Sequence, residues 1–421
     1  MTGRATRRDG RLLQAGVLLG VAAAGVAISL AGRRAQRSPQ TGLVDWPTVL
    51  TIAETRLRSA PGTLTPSQLA AADASYAAAM RRVAPALEAH LGAPLPGIVE
   101  RAGVVDRAAW ARANVRTLER LFSRFEGDVL ARILPPGASS SKAALAAANR
   151  WVTTRQIGLM LAFMGQRVLG QYDVALLAAE EEEPARLLFV EENVRRVARR
   201  LGVDVDAFRT WIALHEATHA FEFEAHPWLR PYLAARVEAQ LDAFSREVRG
   251  LGRVTFRDLA ATVRRGRGRH WLEAMLTDEQ RRLLRETQAV MSLLEGFGDH
   301  VMDEVGREIV PGHATISERF HARRERRSPL ERAILRLTGL DLKMEQYRAG
   351  ERFVAAIAQR GGPQARLHLW DGPESLPRDG EIEDPDLWIA RVMGAAPAAG
   401  TDRAVVTVPL GDGGGTAGGV A

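Results

Sequence analysis

The chain reads as a mainly α protein, helical with at most a small β-sheet. Three observations predict this. Apolar residues recur at three- and four-residue spacing through most of residues 43–393. Capping and stop signals punctuate those stretches. One short apolar run, Arg186-Leu-Leu-Phe-Val190, is the best strand candidate.

The elements follow in order. Leu12 to Gly32 is apolar apart from Gln14 and Ser29, with Arg7, Arg8 and Arg11 before it and Arg33 and Arg34 after it. About 20 such residues cross a bilayer as a helix. Residues 1–41 are therefore expected to anchor the protein to a membrane. Secretion after cleavage near Ser29-Leu30-Ala31 is the rival reading. The flanking charges are nearly balanced, so they set no orientation. Leu43-Val-Asp-Trp46 opens the folded region, in which residues 42–200 are read as a helical N-terminal lobe and 201–393 as a second lobe. Thr65-Pro66 starts an Ala-rich helix reaching Leu91, with Pro85 expected to kink or split it. Helical patterns cover Ala108–Leu134 and Ser141–Leu169, the second closing in a turn at Gly170–Asp173. Leu187–Val190 is the strand, either in the core or at an edge where it could hold an extended peptide. Helices resume at Val203 and stop at His226-Pro227. Pro231–Val248 and Thr277–Val305 are long helical patterns, the latter closed by Gly306 and Pro311-Gly312. The Ala- and Gly-rich stretch from Gly394 to Ala421 reads as a flexible tail.

Composition narrows the function. The chain has no cysteine, so disulfides, thiolate ligands and cysteine nucleophiles are excluded. Of the net charge of +7, residues 1–37 carry all but one unit. The body is nearly neutral and has no basic stripe, so nucleic acid is not an expected partner.

The chemistry lies in His215-Glu-Ala-Thr-His219, inside the apolar run Trp211–Phe221. Histidines four apart share one helix face and can point at one ion. Glu216 can reach a water beside that ion, the arrangement of a zinc hydrolase. A short motif can occur by chance, but burying two His and a Glu costs several kcal/mol without partners, and a metal supplies them. Three residues compete as third ligand. His226 fails the H-E-x-x-H-x-x-G-x-x-H pattern, because Glu222 and Ala225 stand where Gly and His are required. Glu295, about 76 residues past His219, lies in Leu293-Leu-Glu-Gly-Phe-Gly-Asp-His-Val-Met-Asp303 with Asp299 four residues on. It is preferred as ligand, with Asp299 behind it bonding the far nitrogen of a ligand His. Gly296 and Gly298 imply close approach to another backbone. His300 points about 100° from Asp299 and is better placed as a catalytic hydrogen-bond donor, or simply as a packed residue; Tyr347 is a second candidate for that donor.

Several segments resemble a known family. They are Gly42-Leu-Val-Asp-Trp46, Val104-Val-Asp-Arg107, Val168-Leu-Gly-Gln-Tyr-Asp173, Phe208–His219, Leu294–Asp303, Lys343–Gly350 and Pro385-Asp-Leu-Trp388. The family is that of actinobacterial and chloroflexal zincin-like proteins, described as zinc-dependent metalloproteases and also as coenzyme F420 biosynthesis-associated proteins. The resemblance covers nearly all of residues 42–393, in order. It implies a mainly helical zincin-like metallopeptidase fold, Zn2+ held by His215, His219 and Glu295, and Glu216 as catalytic base. One departure stands out: the family motif has His where Phe297 stands here. No residue points to a deazaflavin site. The expected activity is that of a zinc metallopeptidase acting on a peptide or protein substrate. A metal-dependent hydrolase of small molecules and a non-catalytic metal-binding scaffold are the alternatives. The sequence is silent on oligomeric state.

Overall fold

A computed structural model of the chain describes residues 42–95, 97–133, 140–172, 186–251, 277–325, 342–362, 365–378 and 380–394. The expected anchor and the tail beyond Gly394 lie outside them. Among the described residues no helix is long and apolar enough to cross a membrane.

Helix α1 (Trp46–Arg58) starts where the Asp45 carboxylate accepts from the Thr48 N–H at 3.1 Å. Helix α2 (Pro66–Leu91) opens on a reciprocal capping box between Thr65 and Gln68. Pro85 does not split it. A proline inside a helix costs about 3 kcal/mol. Against that stand the buried Tyr76, Met80, Val83, Leu87 and Leu91, each worth about 1.5–3 kcal/mol.

Strand β1 (Ala102–Val105), helices α3 (Arg107–Ile133) and α4 (Ser140–Gly165), and strands β2 (Gly170–Tyr172) and β3 (Leu187–Val190) follow. The sheet order is β1-β3-β2, with β1 parallel and β2 antiparallel to β3. Two expectations are corrected here. The segment at Gly170, read as a turn, is a strand. Leu187–Val190 cannot be an edge, because it is the central strand, paired on both sides with all four residues buried. An unbroken Leu-Leu-Phe-Val run suits a strand covered on both faces.

Helices α5 (Glu191–Leu201), α6 (Val205–Glu224) and α7 (Leu229–Leu251) come next, then α8 (Asp278–Ile309), α9 (His313–Glu325) and α10 (Leu342–Gly361). Two 3-10 turns (Ala365–Trp370 and Pro373–Ser375) and α11 (Pro385–Met393) complete the chain. Asp204 caps α6 by accepting from the Ala207 N–H at 2.8 Å. Thr277 and Gln280 form a second capping box at α8. The sequence ends this helix near Gly306, yet it runs to Ile309. Gly306 serves packing instead, since a Cβ there would lie 2.5 Å from the His313 ring.

Helix α6 sits at the centre, with α2, α8 and β2 packed around it. The larger core runs from Tyr76 to Ile389 and takes residues from both sides of residue 200. A smaller core, with Trp46, Leu57, Trp110 and Leu161, joins α1, α3 and α4.

Candidate metal centre

Helix α6 carries His215 and His219 one turn apart, with their Nε2 atoms 3.2 Å from each other. Helix α8 brings Glu295 across, its Oε2 3.9 Å from His215 Nε2. The three donor atoms lie within 4.8 Å of one another, the one such group among the described residues. Gly298 of α8 faces both rings. A Cβ at this position would stand 3.4 Å from His219 Cε1 and 3.6 Å from His215 Cε1, ordinary contact distances. The neighbours of this glycine are thus the two imidazole rings and not the backbone expected there.

Glu216 is buried, and its Oε2 accepts from the Tyr172 backbone N–H at 3.0 Å. Strand β2 thus lies directly over it, and Gly170 allows this, since a Cβ there would be 2.5 Å from Glu216 Cγ. Burial pushes the Glu216 carboxyl up to about 7, with His219 opposing the shift and Glu295 adding to it. His215 Nδ1 is 3.0 Å from Met302 Sδ. His219 Nδ1 meets the Glu222 carboxylate at 2.8 Å. Burial works to lower the His219 pKa, but Glu222, then Glu295 and Glu216, hold it well above the usual imidazole range.

The sequence reading missed Glu222. It entered only as a departure from another motif, although a residue three places after His219 falls on the same helix face. At His219 the far nitrogen is met by Glu222; Asp299, expected to bond the far nitrogen of a ligand His, is half-buried one turn past Glu295. His300 is directed elsewhere. Its Nε2 lies 3.5 Å from Glu304 Oε1, in a polar cluster with His90 and Arg366. A role as donor to a reacting carbonyl has no geometric support there. The Tyr347 side chain lies outside the described residues. Phe297 is fully buried, 6.4 Å from the Phe221 ring and 5.3 Å from that of Trp370, so it fills core. His226 holds the end of α6, with Nδ1 3.0 Å from the Glu222 carbonyl oxygen. That is the turn role its neighbour Pro227 implied.

A divalent cation fits this set. Two imidazoles and a carboxylate are zinc-type donors. Two facing Nε2 atoms need a proton or a cation to satisfy both. Buried Glu216 and Glu222 add negative charge that an apolar interior penalises, and the second oxygen of Glu222 has no hydrogen-bond partner among the described residues.

A mainly helical frame with a His-His-Glu cluster is the kind of arrangement that metal-dependent hydrolases use. The comparisons are specific. The model of the zincin-like metallopeptidase family matches residues 44–389, and the chain belongs to that family, whose members use a metal, usually zinc. A crystal structure from Chloroflexus aurantiacus, provisionally described as a hydrolase with a novel fold, is 34% identical, with 84% of this chain and 100% of that chain covered and a TM-score of 0.61. No curated protein matches.

Proposed function

We propose that the protein is a zinc-dependent peptidase in which His215, His219 and Glu295 hold the metal and Glu216 is the general base. The observation that carries this reading is the convergence of three donors from two helices within 4.8 Å, with the buried Glu216 carboxylate on the same helix. Zinc, when bound, acidifies water and polarises a carbonyl. Glu216 takes a proton from the attacking water and returns it to the leaving amine. Buried on the same helix as the two ligand histidines, the Glu216 carboxylate is placed to carry that proton. The Tyr172 N–H orients the carboxylate.

The peptide reading draws on β2. The Val190 N–H bonds the Leu169 carbonyl oxygen at 2.9 Å. With strand alternation, the backbone groups of Gly170 and Tyr172 then face away from β3. With the Tyr172 N–H given to Glu216, the backbone groups of Gly170 and the Tyr172 carbonyl offer an extended chain a pairing edge beside Glu216. This role replaces the one considered for Leu187–Val190.

The test combines metal analysis with Glu216→Gln. Wild-type protein is expected to bind one zinc per chain and cleave members of a peptide library. The Gln variant is expected to keep the zinc and lose about 10²–10⁴-fold in rate. Wild-type protein without stoichiometric metal would overturn the reading. Turnover of small esters or amides but of no peptide would restrict it to small-molecule hydrolysis.

A further inference from the structure

We infer that Glu222 is a positioning residue that commits His219 to bind metal through Nε2. The inference rests on the metal-site reading above and deepens it. Glu222 sits on α6 three residues after His219, is 0% exposed, and places Oε2 2.8 Å from His219 Nδ1. A neutral imidazole has one N–H and one lone pair. A carboxylate at Nδ1 draws the proton to that nitrogen and leaves the lone pair on Nε2. That is the nitrogen 3.2 Å from His215 Nε2, on the side where Glu295 converges. The negative charge also makes the ring a stronger donor to a cation.

A purely structural explanation is weak. A buried carboxylate is expensive, and Glu222 spends one oxygen on a ligand histidine while the other has no hydrogen-bond partner among the described residues. A core position with no electrostatic duty would be filled at lower cost by an apolar side chain, as at its neighbours Phe221 and Phe223, both buried. The i, i+3 spacing lets one helix supply both ligands, the base and the group that orients a ligand.

The experiment measures zinc affinity by chelator competition on the full chain, wild type against Glu222→Ala and Glu222→Gln. The thermal midpoint of each metal-free protein and the visible spectrum of each cobalt-substituted protein are recorded alongside. Glu222→Ala is expected to weaken zinc binding by about 10–100-fold and to shift the cobalt bands. Glu222→Gln, which keeps an oxygen acceptor without the charge, should recover part of the affinity. It also serves as the readout if the Ala variant does not fold. Wild-type affinity and unchanged cobalt bands in the Gln variant, with either wild-type affinity or a lowered midpoint alone in the Ala variant, would overturn the inference. Failure of the wild-type chain to bind zinc would instead overturn the site reading on which it rests.

Discussion

One small residue governs the site by what it leaves out. Gly170 lacks the Cβ that would press on Glu216. Gly170→Ala is expected to push the base or β2 aside. Misplacement of a catalytic group by about 1 Å can cost about 100-fold in rate. Activity should fall by that order while zinc content stays at the wild-type level, as paired assays of turnover and bound metal would show. Glu295→Ala should do the reverse at the level of binding and lower zinc affinity, measured by chelator competition; unchanged affinity would remove Glu295 from the ligand set. Much of this site was legible. The spacing of His215 and His219 states a shared helix face, and Glu295 was found by its acidic character in an apolar stretch. The neighbours of each polar atom were not legible. His300 was expected as a donor at the site, and no local pattern announces the cluster of Glu304, Arg366 and His90 beside which it lies.

At the level of elements, α8 has two jobs. It presents Glu295 to α6 and packs along α10, where Gly350 lies so close that a Cβ would overlap the Ser292 carbonyl. Gly350→Ala must therefore separate the helices, with an overpacking cost of about 1–3 kcal/mol. The expected result is a thermal midpoint lower by several degrees, read by calorimetry. Zinc affinity should weaken too, because Ser292 is one turn from Glu295. Long helices with capping boxes, such as those at Thr65 and Thr277, were predictable from a few residues. The strands were not, apart from β3. Strands β1 and β2 are four and three residues long, too short for a period of two to stand out, and they exist because β3 offers two edges to pair.

Across the whole molecule, one polar network ties distant parts together. Glu304 of α8 lies 3.0 Å from His90 of α2 and 3.2 Å from Arg366 of the first 3-10 turn, with His300 3.5 Å away. Burial holds His90 and His300 below the usual imidazole range, with Arg366 adding to it. The unfolded chain then binds more protons than the folded one just below pH of about 6.5. Stability is therefore full above that value and falls as the pH drops through the folded pKa values. A plot of thermal midpoint against pH, with zinc saturating, should slope down below about pH 6.5. His90→Gln should flatten the slope; an unchanged slope would remove His90 from this account. A separate expectation concerns Leu12–Gly32. Deleting residues 1–41 should move the protein from the membrane pellet to the supernatant with zinc affinity unchanged, and equal partition of both forms would count against an anchor.

The sequence by itself determined the helical class, the H-E-x-x-H helix and the acidic residue that meets it. These follow from local periodicity and from the cost of burying charge, both of which are written in neighbouring residues. Tertiary structure alone decided which strand is the edge, which carboxylate orients His219 and where His300 turns. Those choices depend on contacts between residues far apart in the chain, where packing geometry selects one partner among several that the sequence leaves equivalent.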